Sequence, residues 1–376
     1  MPPSLSVQGK GCFPPSPLVQ GKGRFRIRPD YWQSVYTGST EVALTDEKRS
    51  YKVVPTTECH DLDHWAAVRV PDAAFAEVDT VRVAFVDGVR RIDMHGIIDG
   101  NPPYYGVFGS VAAGCMQMCG SRAHDVTEAL CDEVVRHYFV TNAPDPDTKT
   151  LKLASDASCP FDVEYEIHSA ASHDPGDFGQ ELNNLMQELE HDVAQKEVDR
   201  PGVQAVVTDG PIPYEHRLAA GTGKLAGIIK NVQEAYLQRE EFATVLGLKA
   251  AERTPIFEIR YAESSGSSKM SFFLRLRAVT QFASQMANLV RIELPVMGLT
   301  EAVHLANLAS AIAVHYSSNL WGDTRAPQNL YPVGALETAL KKRLGDQRFL
   351  RSVIMRTLAA DETPAPKPAQ APSREP

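Results

Sequence analysis

The chain lacks the features that mark secreted and membrane-spanning proteins. Only six of its 376 residues are cysteine, and they are too scattered for a disulfide framework. The N-terminus has no charged stretch followed by an apolar one. The longest weakly polar run, VHLANLASAIAVHYSSNLW, contains two His, two Asn and three Ser, which is typical of a buried helix. We therefore expect a cytoplasmic protein with reduced thiols and no membrane segment.

Positive charge is also scarce. The 38 Lys and Arg residues are outnumbered by 47 Asp and Glu residues, which gives a formal net charge of -9. This balance excludes a protein that coats nucleic acid by bulk electrostatics, although it is compatible with a local basic groove. Apolar residues make up 43% of the chain, which is enough for a substantial core.

The two ends of the chain have the composition of unstructured segments. PPSLSVQGKGCF at 2–13 recurs almost unchanged as PPSPLVQGKGRF at 14–25, and two short copies are too few for a repeat fold, which needs about three stacked units. The C-terminal stretch ETPAPKPAQAPSREP is rich in Pro and Ala. We predict a disordered duplicated leader at 1–29, a single domain at 30–358 and a disordered tail at 359–376.

Between these ends, strand-like and helix-like patterns alternate. The strand-like runs are VRVAFVDG, RIDMHGIID, YYGVFGSVAAG, VQAVVTDG, IFEIRYAE, MSFFLRLRAV and LVRIELP. Helical patterns lie at about 177–198, 223–246, 280–288, 300–319 and 334–346, and 140–176 is polar and irregular. The mixture predicts one α/β domain with a mixed sheet flanked by helices and with peripheral insertions.

Two apolar strand patterns lead directly into an Asp-Gly pair. VRVAFVDG ends in Asp87 and Gly88, and VQAVVTDG ends in Asp209 and Gly210. One interpretation is that each pair opens a tight turn, because Asp-Gly is a strong turn signal. The other is that both carboxylates project from neighbouring strand ends towards one point, where a divalent cation relieves their repulsion.

A third acid lies on the apolar face of a predicted helix. In QELNNLMQELEHDVAQ, Glu190 follows Leu182 and Met186 at steps of four and precedes Ala194. Glu188 falls on the opposite face, where a solvated charge is ordinary. An acid directed at the core is costly unless it is paired or bound to a metal. We expect the sheet under this helix to carry Asp87 and Asp209.

The same order of acids, strand then helix then strand, occurs in the ribonuclease H-like nucleases, and the chain resembles the NurA family of DNA nucleases, which have that fold. The resemblance covers about residues 30 to 350. Its motifs are VAFVDG, LMQELE, AVVTDGPI, GIIKNV with Lys230, VRIELP with Arg291 and Glu293, and NLYP with Tyr331.

The resemblance implies that Asp87, Glu190 and Asp209 hold the metal and carry catalysis. It further implies Mn²⁺ (or Mg²⁺), with 5'-to-3' exonuclease and single-strand endonuclease activity. Two ions are expected, with Asp87 bridging them as in ribonuclease H-like enzymes. A homodimer docked on the hexameric HerA ATPase, which feeds it DNA during end processing, is also implied.

One family feature is missing from the sequence. Many relatives have a metal-binding His eight or nine residues after the tyrosine of NLYP, whereas this chain has Ala339 and Leu340 there. His315, Asp323 or a water is then expected to complete the metal shell, or the second metal is weak.

Five residues are candidates for DNA contact, namely Lys230, Arg275, Arg277, Arg291 and Tyr331. Lys230 lies on the predicted helix 223–246, where it either reaches a phosphate next to the cut or is a solvated helix lysine. Arg275 and Arg277 alternate with apolar residues, so they share one face of a strand. That face either contacts the DNA backbone or forms salt bridges with the acidic remainder of the protein.

Three functions remain open on the sequence. The first is the metal-dependent DNA nuclease with a HerA-type translocase as partner. The second is a catalytically weak dimeric DNA-end adaptor of the translocase. The third is another ribonuclease H-like nuclease, since three acids do not distinguish DNA from RNA.

Two further groups of potential metal ligands are interpreted as structural residues and not as metal sites. ECHDLDH at 58–64 and the pair Cys115 and Cys119 each lack a fitting second pair of ligands in the sequence, so we interpret them as a loop and as buried small hydrophobic residues.

Overall fold

The computed structural model describes residues 27–29, 51–56, 58, 65–120, 130–144, 149–153, 163–170, 172, 174–213, 223–230, 236–237, 239–261, 268–278, 288–318 and 328–360. Most of the predicted leader, the tail beyond 360 and the ECHDLDH stretch after its first residue lie outside these residues. So does the helix predicted at 280–288, except for its last residue. Residues 27–29 and 359–360, which the sequence analysis assigned to the unstructured ends, lie in a strand and in a helix.

The described chain forms a mixed α/β fold. Its strands are β1 (Ile27–Pro29), β2 (Tyr51–Pro55), β3 (Val68–Arg69), β4 (Arg82–Ile98), β5 (Tyr104–Cys119), β6 (Leu130–Thr141), β7 (Thr150–Leu153), β8 (Val163–Ser169), β9 (Ala205–Asp209), β10 (Leu225–Ile229), β11 (Glu252–Arg253), β12 (Phe257–Tyr261), β13 (Ser268–Arg275) and β14 (Leu289–Leu294). Its helices are α1 (Asp72–Val78), α2 (Phe178–Asp199), α3 (Arg239–Gly247), α4 (Leu299–Tyr316), α5 (Tyr331–Arg343) and α6 (Gln347–Ala360).

All of these strands belong to one large sheet. Its main path runs β2-β12-β13-β14-β10-β9-β4-β5-β6-β8-β7. At its centre, β5 is antiparallel to both β4 and β6, while β9 is parallel to β4 and β10 is parallel to β9. Short strands extend the path, since β1 pairs with β4 and β11 pairs with both β13 and β3.

Helices cover both faces of this sheet. Successive residues of a strand point to opposite faces, so Val83 and Phe85 of β4 lie on one face and Ala84 and Val86 lie on the other. The first pair packs in a core with α4 and α5, including Leu336. The second pair packs in a separate core with residues of α2. Residues of β4 up to Ile92 can therefore be assigned to the α4/α5 face or to the α2 face by their position in the alternation.

The first Asp-Gly pair does not end a strand. β4 is 17 residues long and runs straight through Asp87 and Gly88, which pair with Gly114 and Ala113 of β5. The sequence prediction of two strands separated at this point is wrong, because β5 supplies hydrogen-bonding partners on both sides of the Asp-Gly pair. The ladder is irregular further on, where the register shifts between Ile92 and Met94.

The predicted helix at 223–246 is also wrong. Leu225–Ile229 is the strand β10, and the helix α3 occupies only Arg239–Gly247. The polar segment 140–176, predicted to be irregular, contains β7, β8 and the end of β6. Within the described residues, no helix combines the length and the apolar character needed to cross a membrane.

Candidate functional site: an acidic cluster where β9 ends

Asp87 and Asp209 occupy equivalent positions on two neighbouring parallel strands. The β4/β9 register pairs Val86 with Thr208, so the next residues, Asp87 and Asp209, lie side by side. By the alternation of the strands, both carboxyls point to the α4/α5 face. β9 ends at Asp209, while β4 continues for eleven further residues to Ile98. The two acids therefore lie at the point where β9 ends and β4 continues beyond it.

A third carboxylate comes from α5. Oxygens of Asp87, Asp209 and Glu337 all lie within 4.8 Å of one another. Glu337 reaches the acids because α5 packs flat on the sheet, with Leu336 and Leu340 buried over Gly114 of β5. The Nζ of Lys341, one turn later on the same helix, lies 3.0 Å from Glu337 Oε2.

Glu190 approaches the same point from α2. Gly88 makes this approach possible, because a Cβ built on Gly88 would lie 2.5 Å from Glu190 Oε1 and 2.8 Å from Met186 Cγ. Glu190 is not one of the three acids within 4.8 Å of one another, yet its charge and that of Asp209 both act on Asp87. The four acids thus lie around Gly88 on both faces of the sheet. Asp87, Asp209 and Glu337 are on the α4/α5 face, and Glu190 is on the α2 face.

The site holds more negative charge than its surroundings stabilise. Burial raises the pKa of Asp87 well above its usual value, and the charges of Asp209, Glu190 and Glu337 raise it further, against a hydrogen bond from the Gly88 backbone that lowers it. Burial and then the charge of Asp209 raise the pKa of Glu190 to about 8. These shifts favour protons on the carboxyls, and a divalent cation could replace those protons and bind the same oxygens.

Lys230 is the cation nearest to the cluster in the described part of the chain. Lys230 directly follows β10, the strand that runs parallel to β9. Its Nζ lies 2.6 Å from Asp209 Oδ2 and 3.1 Å from Asn329 Oδ1. The sequence placed Lys230 on a helix, which is wrong, but the end of a strand brings it to the acids more directly. Asn329 is buried and belongs to the NLYP segment that leads into α5.

Arg275 and Arg291 are not on the surface, so their predicted DNA contacts require correction. Arg275 is 1% exposed, and its guanidinium donates to the carbonyls of Val245 and Leu246. Arg291 is 7% exposed and forms an ion pair with Glu293 at 2.8 Å. Both lie on the face opposite Asp87, because the residues next to them in β13 and β14 pack in the α4/α5 core.

Arg277 and Tyr331 occupy more open positions. Arg277 lies beyond the end of β13 and donates to the hydroxyl and the carbonyl of Ser317 at about 3.1 Å. Its guanidinium therefore binds the residue that follows α4. Tyr331 is the first residue of α5 and is 52% exposed. Of the five predicted DNA contacts, Lys230 and Tyr331 are the two whose positions suit that role.

Glu337 is the site residue that sequence reasoning missed. Pro332, Val333, Leu336 and Leu340 are all buried, and Glu337 falls in the same stripe of α5. The periodicity that singled out Glu190 would have found it. Leu340, one of the two positions at which the resemblance implies a His, is packed in the core. His315 is exposed at the end of α4 against Tyr316, and Asp323 lies outside the described residues.

Comparison with known proteins adds little to this geometry. No protein-family model matches the sequence, and no curated protein is similar to it. Among solved structures, the crystal structure of A. aeolicus Argonaute aligns with 71% of this chain and 29% of that one, at 9% identity and a TM-score of 0.24. The chain thus spans less than a third of that protein, and a likeness this weak carries no argument about fold or function.

Proposed function

We propose that the protein is a metal-dependent DNA nuclease with a ribonuclease H-like core. The observation that carries the proposal is the convergence of Asp87, Asp209 and Glu337 within 4.8 Å, with Glu190 beside them. The five central strands support the fold, because three antiparallel strands followed by two parallel ones, with α2 between them in the chain, is the arrangement of a ribonuclease H-like sheet.

The donor set suits Mn²⁺ or Mg²⁺. Carboxylate oxygens are the ligands that these hard ions prefer. Two oxygens on one octahedral Mg²⁺ are at most about 4.2 Å apart, which is close to the spacing of the three acids. Asp87, Asp209 and Glu337 would hold such an ion, and Glu190, which approaches from the α2 face, would take part in holding a second one. When bound, such ions supply a water of lowered pKa and stabilise the leaving oxygen of a phosphodiester.

The chain's own residues prepare the site for a phosphodiester. Lys230 keeps its ammonium group at Asp209, where it meets a phosphate oxygen that approaches the acids. Asn329 fixes the ammonium from the other side. Tyr331 presents an exposed ring two residues after Asn329, where a nucleobase of a single strand stacks.

The partners follow from the resemblance to NurA and from the charge of the chain. The protein works as a homodimer on a hexameric HerA-type ATPase, with 5'-to-3' exonuclease and single-strand endonuclease activity in DNA end processing. A net charge of -9 predicts weak, salt-sensitive DNA binding by the isolated protein, and a translocase that delivers DNA compensates for it.

The test is cleavage of labelled single- and double-stranded DNA and RNA with Mn²⁺, Mg²⁺ or EDTA. We expect metal-dependent cleavage of DNA that falls more than about 100-fold in Asp87→Asn, Asp209→Asn and Glu337→Gln. Glu188→Gln, on the exposed face of α2, is the matched control and should retain activity. If the wild-type protein binds DNA but cleaves none of the substrates even with its translocase added, the nuclease proposal is wrong and a DNA-end adaptor is favoured.

A further inference from the structure

A second cluster of metal-ligand groups lies on the α2 face of the sheet. Cys115 on β5, Cys131 on β6 and Glu197 on α2 each present one ligand atom, and the three atoms lie within 4.8 Å of one another. The two cysteines are direct partners in the antiparallel β5/β6 ladder. Cys115 pairs with Val86 on its other side, so the cluster sits one residue from Asp87 along the sheet but on the opposite face.

The carboxylate of this cluster is fully buried and held in place. The Glu197 side chain is 0% exposed. Gln117 Nε2 donates to its Oε2 at 2.8 Å, while Arg200 Nε at 3.1 Å and Cys131 Sγ at 3.6 Å donate to its Oε1. Arg200 also forms an ion pair with Asp132, the residue after Cys131. Hydrogen bonds that fix a ligand from outside are a usual part of metal sites.

We propose that Cys115, Cys131 and Glu197 bind one zinc ion. Two thiolates and a carboxylate supply three of the four positions of a tetrahedral site, and water takes the fourth. Two thiolates on one tetrahedral zinc lie about 3.8 Å apart, from a Zn–S distance of about 2.3 Å, and the three ligand atoms here lie within 4.8 Å of one another, so the site can close on an ion by a small movement of the side chains. Binding displaces one proton from each thiol to solvent.

The chemistry of the two clusters separates their ions. Thiolates are soft ligands that select zinc, whereas the all-carboxylate cluster at Asp87 suits Mn²⁺ or Mg²⁺.

The location of the site gives it a role. Glu197 lies seven residues after Glu190, two helical turns along the same face of α2. An ion shared by Glu197 and the two cysteines therefore ties the end of α2 to β5 and β6. It fixes the helix that holds Glu190 against Gly88, and it does so without touching the acidic cluster.

The experiment measures the metal content of the full-length protein purified under reducing conditions without chelators. An Asp87→Asn background removes binding at the acidic cluster. We expect about one zinc per chain, lost in Cys131→Ser and in Glu197→Gln, and retained in Cys119→Ser, a half-buried cysteine of β5 outside the cluster. Replacement by Co²⁺ should give a thiolate-to-cobalt charge-transfer absorption in the background protein and in Cys119→Ser only.

The background protein alone decides the question even where a variant fails to fold. A folded protein with neither zinc nor the cobalt absorption overturns the proposal. So does zinc that persists in folded Cys131→Ser. A Cys115–Cys131 disulfide found by mass spectrometry of the metal-free protein would also overturn it, and would identify the pair as a redox pair instead.

Discussion

Lys230 Nζ lies 2.6 Å from Asp209 Oδ2, so the nearest described cation is held directly on one of the acids that we propose as metal ligands. The same ammonium group lies 3.1 Å from Asn329 Oδ1. Lys230 thus connects Asp209 to the segment that precedes α5. This contact offsets part of the negative charge of the acidic cluster. In the proposed nuclease, a metal ion bound by the acids would offset that charge instead and would leave the ammonium group available to a phosphate.

Lys230→Met should affect both stability and catalysis. Loss of the cation leaves Asp209 with less compensation, so we expect the metal-free protein to lose about 1–3 kcal/mol of unfolding free energy. Nuclease activity should fall about 10–100-fold, and the slope of log affinity against log salt should fall by about one. Urea unfolding and DNA titrations at several salt concentrations measure these effects.

Lys224→Met is the matched control for Lys230→Met. Lys224 immediately precedes β10, and its Nζ lies 3.4 Å from the carbonyl oxygen of Val198, away from the acids. Its loss should leave the activity within about twofold of wild type. Equal activity in both variants would show that Lys230 serves only the fold.

The pH dependence of stability should report on Glu190. Its pKa rises from 4.5 to about 8 on folding, so the folded state binds the proton more tightly than the unfolded state. The resulting stability is complete below about pH 4.5 and is lost as the pH rises through about 8. Urea unfolding of the metal-free protein across this range should show a decline of up to about 5 kcal/mol from this group.

Glu190→Gln removes the titrating group, so this decline should shrink, whereas Glu188→Gln should leave it unchanged. Mn²⁺ competes with the proton, so its affinity should increase with pH up to about 8 in the wild type. A slope that is the same in Glu190→Gln and in the wild type would mean that another group titrates.

The sequence predicted local patterns well and long-range partners poorly. The 3.6-residue period identified α2 and put Glu190 on its inner face. One of the two interpretations of the Asp-Gly pairs expected Asp87 and Asp209 to converge, and the β4/β9 register brings them together, with both carboxyls on the face opposite α2. By contrast, the Asp-Gly signal at Asp87 suggested the end of a strand, because a local turn propensity contains no information about β5.

Two errors have the same physical origin. LAGII at 225–229 is a short continuous apolar run, which periodicity alone cannot assign to a strand or to a helix. The alternation at Arg275 correctly indicated a strand, but whether that arginine face is exposed depends on groups far along the chain. The carbonyls of Val245 and Leu246 accept its hydrogen bonds, and only the fold brings them there.

Arg291 belongs to a buried clamp that should govern stability rather than DNA affinity. Lys269 Nζ and Arg291 Nη1 lie 3.0 and 2.8 Å from the two oxygens of Glu293. Lys269 also donates to the carbonyl of Ile212, and the backbone N–H of Ile212 donates to Glu293. The three charged residues Lys269, Arg291 and Glu293 therefore fix the loop after Asp209. Glu293→Gln should cost about 3–5 kcal/mol, because it leaves buried cations without a partner.

The salt dependence of DNA binding distinguishes this role from a DNA contact. In Glu293→Gln and in Arg291→Met, the slope of log affinity against log salt should match that of the wild type at temperatures where the variants are folded. A slope reduced by about one in Arg291→Met would restore the original prediction that Arg291 contacts a phosphate.

Gly88→Ala tests whether the distance between β4 and α2 controls activity. The new Cβ would lie 2.5 Å from Glu190 Oε1 and 2.8 Å from Met186 Cγ, so the Glu190 carboxyl or the helix must move. Overpacking of this kind costs about 1–3 kcal/mol of stability. Displacing a metal ligand by about 1 Å can cost about 100-fold in rate, so activity should fall by more than the stability loss explains.

Gly179→Ala is the control for Gly88→Ala, because a Cβ at this α2 glycine would meet only Ile92 Cδ1 at 4.0 Å. Alanine also favours the helix there by up to about 1 kcal/mol, so this variant should be active and slightly more stable. Mn²⁺ titrations of both variants separate the causes. Weaker Mn²⁺ binding in Gly88→Ala alone indicates that Glu190 must stay close to β4, whereas full activity in Gly88→Ala would remove Glu190 from the catalytic set.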